Sequence, residues 1–273
     1  MADFSRYIIA SDMDGTFLDT DGKFVQRNLD AVKRFQAGGG LFTFSTGRLH
    51  YNLRVSVGEP AHILNAPCVM SNGAYLYDFV RKAPLEESLM AQEDVRELVE
   101  VIRRRYADVC FRTATPSVLR VERTDSFLAK DVTWYDEGTV QVSPIGTWPT
   151  DDWYKIVFRA EEDVILRMRD ELMSHFGDRF SYTASGSRFL EVQSPAVNKA
   201  AGLEKLRRIC GKDRILIACG DYENDLEMLR AADIALCPAN AMDEVKRVAK
   251  RTLCHCNDGL IGDIVDLLEK GEV

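Results

Sequence analysis

No apolar run in this sequence approaches the ~20 residues that a membrane helix requires. The longer ones, such as Ile215-Leu216-Ile217-Ala218-Cys219, stop far short of it. The N-terminus also lacks the apolar stretch of a signal peptide, since Asp3 and Arg6 interrupt it. A cytoplasmic protein without a membrane partner is expected. Basic charge is scarce as well: 35 Lys and Arg stand against 43 Asp and Glu, a net charge of −8. A nucleic-acid groove recruits a surplus of Lys and Arg, so no nucleic-acid partner is expected and small-molecule chemistry is favoured. Cysteines are seven, an odd number scattered mostly within apolar runs. That suits reduced, buried thiols better than a disulfide framework. Internal repeats and low-complexity tracts are absent too.

What is present can build a core. The 273 residues, 46% of them hydrophobic, suffice for one large domain or a main domain with a smaller companion. Near the N-terminus Tyr7 to Ser11 reads as a buried strand, and Phe17 to Val25 as a hairpin turning at Asp21-Gly22. Leu29, Val32 and Phe35 recur at near-helical spacing until Gly38-Gly39-Gly40, and strands follow at Leu41 to Ser45 and Cys68 to Ser71. The C-terminal part repeats this alternation: a helix from Lys199 to Cys210, a strand from Ile215 to Gly220, a helix from Asp225, a strand from Ile234 to Leu236, then further helices. Strands alternating with helices predict a doubly wound, mostly parallel α/β sheet of Rossmann-like type, with ligands bound beyond the carboxyl ends of its strands.

Between roughly Ala83 and Arg188 the alternation breaks. A helix with Val95, Leu98, Val99 and Ile102 on one face precedes a strand-like Val118 to Val121 and a loop-rich stretch with Pro144, Gly146 and Pro149. Tyr154, Ile156 and Phe158 alternate as in a half-buried strand, and Ile165, Met168 and Leu172 mark a second amphipathic helix. An α+β domain over 83–188 is expected, inserted between core segments 1–82 and 189–273.

The chemistry concentrates where strands end. Asp12 and Asp14 sit one residue apart at the end of the first strand. Residues two apart on an extended chain point the same way, so both carboxylates can face one pocket while Met13 turns inward. Their repulsion calls for a cation. At the end of the strand from Ile215, the run GDYEND supplies Asp221, Asn224 and Asp225. Carboxylates converging at one sheet edge make an oxygen-rich site of the kind Mg²⁺ prefers. STGR brings Thr46, Gly47 and Arg48 to the same edge, and Lys199 opens a helix from which its ammonium can join them. Hydroxyl, backbone N–H, ammonium and Mg²⁺ together suit a phosphate group.

DMDGT at Asp12 to Thr16, Thr46-Gly47-Arg48, Lys199 and GDYEND at Gly220 to Asp225 stand in order along the chain. With smaller echoes in SNGA (Ser71 to Ala74), ANA (Ala239 to Ala241) and DGL (Asp258 to Leu260), the sequence resembles the haloacid dehalogenase-like hydrolases. Within them it is similar to the Cof-like phosphatases with a type IIB cap, over the whole chain. The resemblance implies a Mg²⁺-dependent phosphatase acting on a small phosphorylated metabolite, a sugar phosphate being the first choice, through an aspartyl-phosphate. Asp12 would be the nucleophile and Asp14 the general acid and base. Thr46 and Lys199 would hold the phosphoryl oxygens. The Asp12 side chain, the Asp14 main-chain carbonyl and Asp221 would bind the metal, with Asn224 and Asp225 completing the shell and Asp225 also placed to orient Lys199. Asp14 argues against a dehalogenase, which resembles DxY rather than DxD there.

Other readings compete with each feature. Asp12 and Asp14 alone would suit a turn or helix cap, but not with Asp221 in a parallel context. Arg48 either binds substrate or bridges core to cap; Asn72 either lines the site or shapes the hinge. The glycine run lacks the GK[ST] of a phosphate loop and suits helix termination. Cys254-His255-Cys256 suggests zinc but lacks a second pair of ligands nearby. Trp134, Tyr135, Trp148 and Trp153 suit sugar stacking or plain packing. Two alternatives to hydrolysis stand: a mutase-like phosphoryl transfer, and a non-catalytic metabolite-binding protein, against which the intact Asp12 and Asp14 pair speaks.

Overall fold

Tyr7–Ser11 is buried from Ile8 to its end and pairs on both edges within a five-stranded sheet. In a computed structural model, which describes residues 2–58, 60–123, 135, 137–184 and 187–273, the order is Arg251–Thr252, Ile234–Cys237, Ile215–Cys219, Tyr7–Ser11 and Leu41–Phe44. Every neighbouring pair is parallel, with Ile9 beside both Ile217 and Phe42. Such strands are covered on both faces, which is why YIIA and ILIAC read as continuous apolar runs rather than alternating ones. On one face Ile8, Ala10, Leu216 and Ala218 pack with Leu203, Leu206, Leu229 and Val245 from three helices. The opposite pleat carries Phe42 and Phe44, whose rings lie 5.4 and 4.9 Å from that of Phe17. The fold class is therefore the expected α/β class, a parallel sheet together with additional sheets.

This sheet belongs to a unit comprising Met1–Gly47, Glu59–Glu86 and Asn198–Val273. A three-stranded sheet, Cys68–Met70, Tyr75–Asp78 and Ala83–Glu87, joins it through a parallel bridge from Ser45 to Val69. Two elements depart from the sequence reading. The hairpin over Phe17 to Val25 is reduced to one antiparallel bridge, Leu18 to Phe24, with the Asp19 N–H donating to the Lys23 carbonyl, because the Asp19 carboxylate accepts from the backbone N–H groups of Asp21 and Lys23 and tightens the turn. The helix expected from Asp225 begins at Leu226, after one tight turn over Glu223–Asp225. The helix Gln26–Ala37 does end at the glycine run, where Gly39 takes φ +85°.

The second unit comprises Arg48–Gly58 and Glu87–Val197. Its sheet has the order Ser181–Ala184, Phe189–Gln193, Lys155–Arg159, Cys110–Ala114, Leu119–Val121, Val140–Val142. All pairings are antiparallel except the last, which is parallel. Val95, Leu98, Val99 and Ile102 of one helix and Ile165, Met168 and Leu172 of another bury against Phe111, Ile156, Phe158, Leu190 and Val192. Trp148 and Trp153 lie in that same core, so they pack. The Tyr135 ring lies 6.0 Å from that of Tyr51, whose hydroxyl donates to the Thr115 carbonyl. Trp134 lies outside the described residues. No helix among the described residues is long and apolar enough to cross a membrane.

Candidate active site

Asp12 closes the first strand with its N–H donating to the Cys219 carbonyl at 2.8 Å, so the two central strands end together. The chain then leaves the sheet through an irregular turn, Met13–Phe17, in which Gly15 takes φ +76°. A β-carbon there would lie 2.6 Å from Asp221 Oδ2, so glycine serves both the left-handed backbone and the close approach. Met13 turns into the core as expected, Asp12 is buried, and Asp14 is exposed.

From across the sheet comes Lys199, first residue of the helix Lys199–Cys210, whose N-cap Asn198 accepts from the Ala201 N–H. Its side chain is 0% exposed, and Nζ donates to Asp12 Oδ1 and to Asp225 Oδ1, each at 2.6 Å. A buried ammonium is tolerated only when paired in this way. Burial alone would pull Lys199 down, but the carboxylates of Asp12 and Asp225 outweigh it and hold the ammonium charged.

Asp225 spends its second oxygen on the loop before it: Oδ2 accepts from the N–H groups of Asp221 and Tyr222 at 2.9 and 3.0 Å. A β-carbon on Gly220 would meet Asp225 Cγ at 2.3 Å, so this fold-back requires glycine ahead of Asp221. Asp221 in turn accepts at Oδ1 from the Thr16 hydroxyl, 2.6 Å away. Oxygens of Asp12, Asp221 and Asp225 all lie within 4.8 Å of one another.

Three carboxylates here face one ammonium, a deficit of positive charge. Burial pushes the Asp12 carboxyl well up, with Asp225, Asp221 and Asp14 adding to the rise and Lys199 opposing it. Burial likewise raises Asp221, to about 6, against the Thr16 hydrogen bond. Hard oxygen donors short of cationic charge are what a divalent ion of the Mg²⁺ type binds, so the residues fit one. Among the described residues no other group of three or more His, Cys, Asp or Glu side chains is placed to hold an ion, and Cys254-His255-Cys256 forms none.

The remaining expected residues divide. Asn224 donates to Asn72 Oδ1 at 3.2 Å, and Asn72 donates its N–H to the Thr46 carbonyl at 2.9 Å. A β-carbon on Gly47 would stand 3.1 Å from Asn72 Oδ1. Thr46, Gly47, Asn72 and Asn224 are thus brought together in the first unit, while Arg48 falls in the second. Asn72 holds φ +56° and Ser71 φ +50°, unusual for residues other than glycine. Thr16, Gly15 and Gly220 carry geometry to which the sequence reading gave no role. Thr16 and Gly15 stood inside the quoted DMDGT, so the motif itself was the available signal.

The sequence matches a family model described as haloacid dehalogenase-like hydrolase over residues 9–264. A 5-amino-6-(5-phospho-D-ribitylamino)uracil phosphatase of Bacillus subtilis is 24% identical over 97% of this chain and 98% of its own length. An HMP-PP phosphatase of Cronobacter sakazakii is 28% identical over 86% of this chain and 85% of its own. Among solved structures, a haloacid dehalogenase-like hydrolase from Bacteroides thetaiotaomicron has TM-score 0.84 at 20% identity, covering 96% of this chain and 99% of that one.

Proposed function

The chain belongs to the haloacid dehalogenase-like hydrolases, and on that premise we propose that it is a Mg²⁺-dependent phosphatase of the Cof-like kind, acting in the cytoplasm on a small phosphorylated metabolite. The observation that carries this reading is the buried arrangement in which Lys199 holds one oxygen of Asp12 while Asp221 stands within ligand distance.

With Oδ1 engaged by Lys199, Asp12 attacks phosphorus through Oδ2. The P–O bond to the leaving group breaks as the Asp12 O–P bond forms, giving an aspartyl-phosphate. Exposed Asp14 gives its proton to the departing alkoxide, then takes one from the water that attacks the aspartyl-phosphate. That second displacement frees inorganic phosphate and restores both carboxyl groups to their starting states. Asp12, Asp221 and the Asp14 main-chain carbonyl are the groups that would hold Mg²⁺, which when bound supplies positive charge against the phosphoryl oxygens. Asp225 has both oxygens occupied and serves chiefly to position Lys199 and the 221–222 amides. Thr46, Gly47, Asn72 and Asn224, all in the first unit, form the polar wall around the phosphoryl group.

A sugar phosphate or another phosphorylated polyol is the substrate class we favour; relatives are named for a phosphoribitylamino-uracil and for HMP-PP. The test is phosphate release from a panel spanning sugar phosphates, nucleotides and both relatives' substrates, with Mg²⁺ or chelator, for wild type and Asp12→Asn. Metal-dependent release that drops on the order of a thousandfold or more in the variant is expected. Release that survives Asp12→Asn would sink the nucleophile assignment. No release from any substrate by wild type would put transfer or pure binding ahead of hydrolysis.

A further inference from the structure

The short motif Ala239-Asn240-Ala241 is distant in sequence from every residue given a role above, yet it touches two of the segments that carry them. Asn240 Nδ2 donates to the Gly15 carbonyl at 2.7 Å, inside the turn that follows Asp12 and Asp14. Its Oδ1 accepts from the Cys256 N–H at 3.0 Å. Two residues on, the Met242 N–H donates to the Asp221 carbonyl, also at 3.0 Å. The loop is itself anchored where the Ala239 N–H donates to the Cys254 carbonyl at 3.1 Å.

These bonds close a circuit. From Gly15 the chain passes to Thr16, whose hydroxyl donates to the Asp221 side chain; Asp221 returns through its carbonyl to Met242; and Met242 leads back through Asn240 to Gly15. A circuit closed at every corner fixes the separation of its members, because no single distance can lengthen without breaking a hydrogen bond. The separation in question is the one between the Asp12–Gly15 turn and Asp221. Left alone it would widen, since Asp221 adds to the repulsion felt by the buried Asp12 carboxylate. Asn240 alone among the members of this ring ties Gly15, through its side chain, both to the Met242 arm and to the 254–256 segment.

We infer that Asn240 is a positioning residue: by gripping the Gly15 carbonyl it holds the Asp12 turn against Asp221 at the spacing a divalent cation needs, before the cation arrives. This rests on the reading that Asp12 and Asp221 bind Mg²⁺. An outer group of this kind typically changes metal affinity by about 10- to 100-fold when lost.

Calorimetric titration of the full chain with Mg²⁺, in the absence of substrate, tests it on wild type, Asn240→Ala and Asn257→Ala. Asn257 shares the C-terminal loop, and its side-chain amide bonds to Thr20 rather than to Gly15, so it reports general loosening of that loop. The expected result is an affinity about tenfold weaker or more in Asn240→Ala and unchanged in Asn257→Ala. Equal affinity in Asn240→Ala and wild type, or an equal loss in both variants, overturns the inference. If Asn240→Ala gives no cooperative melt, Asn240→Asp replaces it. That variant keeps the acceptor for the Cys256 N–H but sets a carboxylate against the Gly15 carbonyl. Its added negative charge would by itself tighten cation binding, so a weaker affinity supports the grip and an equal or tighter one overturns it. A wild type that binds no Mg²⁺ overturns the metal reading and this inference together, whereas a binding wild type with an unaffected Asn240→Ala overturns only the latter.

Discussion

A β-carbon placed on Gly73 would stand 2.0 Å from the carbonyl oxygen of Asn198. Gly73 also takes φ +100°, and a β-carbon on Gly202 would stand 2.4 Å from Val69 Cγ1 and 2.9 Å from Gly73 Cα. Two glycines therefore let the turn after Cys68–Met70 press directly on the first helical turn after Lys199. Gly73→Ala should lose about 2 kcal/mol or more of stability, from strain and overpacking together. It should also lower activity by moving Lys199. Urea denaturation checks the first effect; a stability within about 0.5 kcal/mol of wild type would mean the contact yields easily.

Lys199→Met removes the ammonium and leaves Asp12 and Asp225 facing each other in the interior. Deleting one partner of a buried ion pair costs about 3–5 kcal/mol, so a large loss of stability is expected. Adding Asp225→Asn to that variant should recover part of it, because the amide cannot repel Asp12. A double variant less stable than the single one by the full effect of Asp225→Asn alone would show that the two residues are not coupled.

The Asp221 carboxyl is pushed up to about 6, burial being the main cause, from an ordinary value of 3.8. The folded chain therefore keeps a proton that the unfolded chain has already released. Stability from that proton is fully present below about pH 4 and is lost as pH rises through about 6. In metal-free protein, wild type minus Asp221→Asn should show a melting temperature difference that grows less favourable to wild type across this window. Saturating Mg²⁺ should cancel the trend, since the cation takes the proton's place. Parallel melting curves for the two proteins from pH 4 to 7 would contradict the assignment.

The α/β core and the convergence of Asp12, Asp221 and Lys199 were legible because each motif is a local event, a strand running out or a helix starting, and parallel topology gathers such ends at one edge. What the sequence did not carry were the relations between motifs. Nothing local announces that Asp225 would have both oxygens taken, that Thr16 would brace Asp221, or that Asn240 would reach Gly15. Glycine spacing reads as flexibility until a neighbour's position is known: neither Gly73, inside SNGA, nor Gly202 announces the other in the sequence. The hairpin at Phe17 to Val25 is shorter than expected, one antiparallel bridge, for a different reason: the Asp19 side chain takes backbone donors of Asp21 and Lys23.

The second unit gathers Arg48–Gly58 as well as Glu87–Val197, so the backbone passes between the units four times: after Gly47, Gly58, Glu86 and Val197. Excision at the two outermost connections of the longer segment would yield a fragment missing the helix His50–Val57, and with it the Tyr51 hydroxyl that donates to Thr115. A chimera exchanging the second unit between relatives must therefore transplant two stretches of chain, the shorter of them beginning one residue after Gly47. Moving only the long stretch would graft a foreign sheet beneath a resident helix, and the mismatch would be recorded as lost solubility rather than as altered selectivity.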